Sequence, residues 1–209
     1  FDELYVVAER KTSVSKKKVS AQTLFFDMLK ERAETGRIYI MNIDHCNTHS
    51  SFKDRVYMSN LCQEITLPTD PIQHIDGSGE IALCILSAIN VGKLNYLDDL
   101  EGLCDLAVRA LDEIIDHQKY PVKAAEVSTK ARRSLGIGFI GLAHYLAKNK
   151  LKYNDKQAWK EVDELTEHFQ YYLLKASNEI AKEKGQCDYF HRTKYSDGIL
   201  PIDTYKKEV

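Results

Sequence analysis

Long apolar runs are missing from this sequence. No stretch approaches the roughly 18 residues needed to span a bilayer, which excludes a helical membrane protein. Proline and glycine are sparse, at four and ten of 209 residues, so the chain is neither collagen-like nor low in complexity. Charge of one sign is not in excess. Twenty-nine Lys and Arg face 31 Asp and Glu, and a formal net charge of -2 argues against a chain built to coat nucleic acid. Five cysteines are too few, and odd in number, for a secreted disulfide scaffold, so they read as thiols of a reducing, cytoplasmic compartment. Phe1-Asp2-Glu3 offers no basic region ahead of an apolar stretch, and no secretory leader is expected. An opening at Phe1 and a close at Lys206-Lys207-Glu208-Val209 without a stop signal suggest one segment of a longer protein. At 44% apolar residues, the length suits one domain or one large piece of one.

Hydrophobic spacing divides the chain into helices and strands. Residues 1–19 are polar, and their basic run, Arg10-Lys11 with Lys16-Lys17-Lys18, reads as a solvated turn before a helix. Ser20 is placed to cap a helix through Leu24, Met28 and Leu29, which Thr35-Gly36 ends. Residues 37–43 are β-branched and aromatic and predict a buried strand, followed by a polar loop over 44–55. Residues 79–86 predict a second apolar strand after the turn signal Asp76-Gly77-Ser78-Gly79. An amphipathic helix is expected over 97–118, with Leu100, Leu103, Ala107, Leu111, Ile114 and Ile115 at the helical period and Tyr120-Pro121 beyond its end. A third strand over 134–140 leads to a short helix through Leu142 and Leu146. The longest helix spans 156–184, with Val162, Leu165, Phe169, Leu173, Ala176 and Ile180 inward and Gly185 as its stop. The last residues read as irregular and aromatic-rich. Strands alternating with helices imply an α/β layer or barrel with a largely parallel sheet, yet about three strands cannot close a barrel.

Ser59-Asn60-Leu61-Cys62-Gln63-Glu64 is the stretch richest in chemistry. In an extended chain, residues two apart share a face, so Asn60, Cys62 and Glu64 would line one side. That row would offer one small ligand a reactive sulfur, a neutral hydrogen-bonding group and a proton acceptor. The plainer reading is an edge strand with a polar face and a buried cysteine. Cys84, in an apolar stretch, would by itself be an inert core thiol.

The Ser59–Ile65 heptapeptide, followed by Gly79-Glu80-Ile81-Ala82-Leu83-Cys84, resembles the active-site region of the large subunit of class I ribonucleotide reductase. Arg132-Arg133-Ser134-Leu135-Gly136-Ile137-Gly138 extends the resemblance, as do residues 170–179, Gly198-Ile199-Leu200-Pro201-Ile202-Asp203-Thr204-Tyr205, Thr35-Gly36-Arg37-Ile38-Tyr39-Ile40 and Asp44-His45-Cys46-Asn47-Thr48-His49. It implies part of a ten-stranded α/β barrel, with residues 1–209 as a single segment of it and a central finger loop carrying the radical cysteine. Cys62 would be that cysteine, shielded inside the barrel and taking the hydrogen from C3′ of a ribonucleotide. Glu64 would be the general base for the 3′-hydroxyl, and Asn60 would orient the sugar hydroxyls. Residues Asn60, Leu61, Cys62, Gln63 and Glu64 would line the nucleotide. Cys84 would be one of the two redox thiols. The resemblance further implies ribonucleoside diphosphate as substrate and a radical supplied by a metal-containing small subunit. Thioredoxin or glutaredoxin would be the reductant, ATP and dNTP effectors would bind regions absent here, and the large subunit would be a homodimer. The family's second redox cysteine, its phosphate-cradling segment, its radical-relay tyrosine pair and its C-terminal cysteine pair match no position here, so the segment is not expected to turn over alone. It is expected to bind no metal or cofactor directly.

Two rivals stand beside that reading. Gly136-Ile137-Gly138-Phe139-Ile140-Gly141, with Asp155 downstream, fits a dinucleotide-binding fingerprint, although its glycines fall inside the predicted strand where the fingerprint needs a turn. His45, Cys46, His49 and Cys62 suggest a zinc-stabilised interaction module, although structural sites usually show two tight ligand pairs. Cys104 is expected in the core and Cys187 at or near the surface. Trp159, Phe169, Tyr171 and Tyr172 are spaced for helix packing.

Overall fold

The computed structural model describes residues 2–74, 79–94 and 98–205. The turn signal at 76–78, the start of the fourth helix at Leu97 and the closing residues 206–209 lie outside them. The chain forms two compact units, Phe1–Asn42 and Ile43–Val209.

In the first unit, α1 (Asp2–Arg10) occupies a stretch whose polar composition predicts no helix. Lys16 Nζ closes the turn after it by donating to the carbonyls of Glu9 and Lys11, each at 2.6 Å. α2 (Ala21–Thr35) begins and ends as its sequence predicts. The Ser20 hydroxyl accepts from the Thr23 amide at 3.3 Å, and Gly36, in the left-handed region, returns its N–H to Arg32. Leu24 and Met28 nevertheless remain exposed, and α2 buries none of its residues. Caps and propensity, not burial, define this helix. The strand expected over 37–43 does not form. Residues 37–42 are irregular, and Arg32 Nη1 takes the Ile38 carbonyl at 2.6 Å. β-branched residues make a strand only beside a partner, and among the described residues this stretch has none.

The second unit is an α/β assembly. Its expected polar loop starts with a helix, α3 (Ile43–Thr48). β1 (Ile85–Asn90) pairs in parallel with β2 (Leu135–Ile140), in the register Ile85↔Leu135 through Asn90↔Ile140. β1 starts later than its apolar composition suggests. Glu80 N bonds the Asp70 carbonyl and Ile81 N bonds the Ala124 carbonyl, so the first half of that stretch is tied to a loop and a helix. Between the strands lie α4 (Asp98–His117) and α5 (Lys123–Arg132). α6 (Leu142–Lys148) and α7 (Lys156–Lys184) follow β2, and Gly185 stops α7 by bonding Ala181. The tail is more regular than its composition suggests, with single 3₁₀ turns at Phe190–Arg192 and Lys194–Asp197 and a short α8 (Pro201–Tyr205).

The core lies between the sheet and the α4–α7 pair. Leu100 and Cys104 of α4 and Leu165 and Phe169 of α7 pack with Ile89, Val91 and Leu94, and Ile137 and Phe139 close the cluster. Phe139 meets Phe169 edge-on at 5.7 Å. Farther along the same helices, Val108, Ala176 and Ile180 continue it. Leu103 and Ile114 lie at the edge of the α4 stripe and stay partly in solvent. The opposite face of the sheet is bare, with Leu86 60% and Ile140 55% exposed. That alternation follows the pleat, and it leaves one side of a parallel sheet without the cover such sheets ordinarily have.

Candidate active site

Two chain segments carry the residues whose chemistry the sequence singles out. The first, 59–65, is a closed turn and not the extended row that residue spacing suggests. Asn60 N donates to the Ile65 carbonyl at 3.3 Å, Asn60 Oδ1 accepts from Ile65 N at 3.0 Å, and Gln63 N bonds the Asn60 carbonyl at 3.2 Å. Gln63 takes the turn's left-handed position, φ 65°. The asparagine amide thus substitutes for a ladder partner, the habit that makes Asn a turn residue. Asn60, Leu61, Cys62 and Glu64 are exposed at this turn and Gln63 is half-buried. Within this chain Cys62 is therefore exposed, contrary to the expected interior position, because the sheet formed among the described residues has two strands and does not close around it.

The second segment leads into β1. Cys84 lies on the sheet face that the helices leave bare. A Cβ built on Gly136 would fall 2.8 Å from Cys84 Sγ and 2.5 Å from Leu86 Cδ2. Gly136 is small because the thiol and the leucine occupy its side-chain space. Burial pushes the Cys84 thiol above its ordinary range, and the charge of Glu64 adds to that push. Glu64, from the turn, thus stands near enough for its charge to be felt at the sulfur. Cys84 stays a protonated thiol at neutral pH.

Residues assigned no site role from sequence hold this arrangement. Asn47 clamps the upstream side of the loop, its Oδ1 accepting from Val56 N at 2.8 Å and its Nδ2 donating to the Val56 carbonyl at 2.9 Å. Val56 and Pro68, on either side of the turn, are fully buried. Arg132 donates from Nε and Nη2 to the Glu80 carboxylate at 2.9 and 2.7 Å, and from Nη1 to Asp54 at 2.9 Å. Burial alone would lower the Arg132 pKa, but the hydrogen bonds it donates to Glu80 and Asp54 more than reverse that. Arg192 binds Asp70 with both terminal nitrogens at 3.0 and 3.1 Å, and its Nε lies 2.7 Å from Asp54 Oδ2. The Tyr189 ring stands against both guanidiniums, 5.1 Å from Arg132 and 4.6 Å from Arg192. Charge pairs over such sequence distances leave no local pattern. Arg133, at φ 47°, forks the other way, to Asp112 and Asp116 of α4.

The rival sites do not assemble. Gly136 and Gly138 lie within β2 itself, and Gly141, at φ 80°, sits where a Cβ would meet Asn90 Oδ1 at 2.3 Å. Gly136 and Gly141 serve close packing, Gly138 faces open space, and the three make no phosphate-cradling turn. Asp155 precedes α7 and accepts from Lys152 N at 2.8 Å. Among the described residues no three His, Cys, Asp or Glu side chains converge as metal ligands. The His45 and His49 rings lie tilted to each other at 6.3 Å between centroids, and Cys62 belongs to the separate turn. Cys104 is buried as expected, and burial pushes its thiol up to about 11. Cys187 is half-buried. Trp159, expected in a packed face, is 59% exposed and donates its ring N–H to the Tyr153 carbonyl.

The second unit is thus a parallel α/β assembly with one thiol on an exposed turn and another just ahead of its first strand. Residues 1–209 match the family described as ribonucleotide reductase, barrel domain. The chain is 57% identical over its whole length to the ribonucleoside-diphosphate reductase subunit alpha of Haemophilus influenzae, of which it covers 28%. It is 54% identical to the ribonucleoside-diphosphate reductase 1 subunit alpha of Escherichia coli and 42% identical to subunit alpha of Enterobacteria phage T4, again over 28% of each. The chain belongs to the ribonucleotide reductase barrel-domain family. It spans little more than a quarter of the length of these relatives. No helix among the described residues is long and apolar enough to cross a membrane.

Proposed function

We propose that this chain is the central part of the catalytic barrel of a ribonucleoside-diphosphate reductase large subunit. In this reading it supplies the radical cysteine and one redox cysteine for making 2′-deoxyribonucleotides. The match of residues 1–209 to the reductase barrel-domain family carries the reading, and the charge of Glu64 acting at Cys84 supports placing the two motif segments in one site. Strands outside this chain would complete a ten-stranded barrel over that face, making the 59–65 turn the tip of a finger loop and shielding Cys62 from solvent. Effector sites and the remainder of the subunit would lie outside this segment.

The roles follow from the residue chemistry. Cys62, as a thiyl radical, takes the C3′ hydrogen of the ribonucleoside diphosphate and returns it at the end. Glu64, ionised, accepts the 3′-hydroxyl proton. Asn60, whose Oδ1 is held by Ile65, keeps its amide Nδ2 to orient the sugar. The 2′-hydroxyl leaves as water, and two thiols, Cys84 and one from outside this chain, become a disulfide and supply the two electrons. A protonated Cys84 suits that donation, since a hydrogen must travel with each electron. A metal-containing small subunit would generate the radical, a thioredoxin or glutaredoxin would reduce the disulfide, and two large subunits would pair in the cytoplasm.

The full-length subunit, assayed with its small subunit, tests this. Cys62→Ser is expected to abolish nucleotide reduction, while Cys84→Ser stops multiple turnover yet still permits hydrogen abstraction from substrate. Wild-type turnover by Cys84→Ser overturns the redox role.

A further inference from the structure

We propose that Arg192, seconded by Arg132, is a positioning residue for this reaction: it staples the two ends of the thiol-bearing loop and so fixes the 59–65 turn relative to Cys84. The inference rests on the reductase reading above. Between Asp54 and Asp70 the loop has little ladder of its own, and among the described residues its internal backbone hydrogen bonds are those that close the turn. Its ends are joined by charge instead. Arg192 reaches Asp54, ahead of the turn, and Asp70, behind it. Arg132 reaches the same Asp54 and also Glu80, just before Cys84. Glu80 closes the ring, its Oε2 accepting from Asp70 N at 2.9 Å while its own N–H bonds the Asp70 carbonyl at 2.9 Å. Two guanidiniums thus bind three carboxylates, one from each stretch whose position decides where Cys62 and Glu64 stand against Cys84.

The geometry separates positioning from plain stability. The Arg132–Glu80 pair is buried, with side-chain exposures of 3% and 2%, and belongs to the core. The Arg192–Asp70 pair is not, because the Asp70 side chain is 49% exposed. A pair that open adds little to global stability. What it does is geometric: a planar fork holds two carboxylates at set angles, which a flexible ammonium does not.

The test uses the full-length subunit with its radical-generating partner and a nucleoside diphosphate. Arg192→Ala is expected to lower kcat about tenfold to a hundredfold, the scale of a misplaced reacting group, with KM changed less than about twofold. The thermal midpoint of Asp70→Asn should stay near wild type, because that pair is open to solvent, and millimolar guanidinium should restore part of the kcat lost in Arg192→Ala. Asp70→Asn should lower kcat in the same way but less, and the double variant should be no slower than Arg192→Ala. Wild-type kcat in both single variants, or a loss confined to KM, overturns the proposal. Should Arg192→Ala fail to fold, Asp70→Asn decides by the same criterion. A Cys62→Ser control that still reduces nucleotide overturns the radical reading beneath it, whereas an inactive control beside unaffected staple variants overturns the staple alone.

Discussion

Gly136 is the point where one added carbon would touch the proposed chemistry. An alanine there must displace Leu86 Cδ2, the end of an exposed and movable side chain, and Cys84 Sγ, which sits on a single rotatable bond. Gly136→Ala is therefore expected to cost about 1 kcal/mol of stability, at the low end for overpacking, yet to turn the thiol away from its partner. Turnover in the full-length enzyme should fall far more than the urea midpoint; equal, small losses in both would show that Sγ has room elsewhere. Residue types such as Cys62, Glu64 and Cys84 could be read directly for what they can do. Their arrangement could not. Spacing by twos holds only for extended chain, and Asn60 commits its side chain to Ile65, which bends the backbone out of that form.

Elements with a large apolar stripe were legible, and those built on small residues or on distant partners were not. α7 runs over the span its stripe predicts, with Leu165, Phe169, Ala176 and Ile180 buried. Leu165→Ala should cost about 2–5 kcal/mol, measured as a shift in urea midpoint, because Leu165 is 1% exposed in the cluster joining α4, α7 and the sheet. α5 left no such trace. Its buried face is Ala124, Ala125, Ser128, Thr129 and Ala131, small side chains that carry little hydrophobic signal yet let the helix approach closely. The unmade strand at 37–42 is the converse, a strong β composition without a neighbour to pair with among the described residues.

At the scale of the molecule, paired charges tie the helices and loops together and set the response to acid. Hydrogen bonding to Arg192 holds the Asp70 carboxyl below its usual range, Arg133 does the same for Asp116, and Lys184 for Glu113. Groups depressed in the folded state contribute stability that is complete above the unfolded pKa, near about 4, and is lost as pH falls through the lower folded values. Lys130, Lys175 and Lys184 are raised by their partners, so their share is complete below about 10.4 and lost only as pH rises through the higher folded values. Urea midpoints should thus be level from about pH 5 to 8 and drop only modestly below about pH 4, since solvent screens these open pairs, whereas a steady decline starting near pH 6 would assign the control to histidine.

The Arg192 contact also bears on the order in which the protein comes together. Arg192 and Asp70 lie 122 positions apart in sequence, and Arg132 and Glu80 lie 52 apart. During synthesis the N-terminal part emerges first, and long-range pairings wait for their later halves. The Cys62 turn therefore leaves the ribosome well before its clasp, and the sulfur gains a fixed address only when the last fifth of the segment arrives. Nascent chains cut short of that point would carry the thiol without the means to aim it.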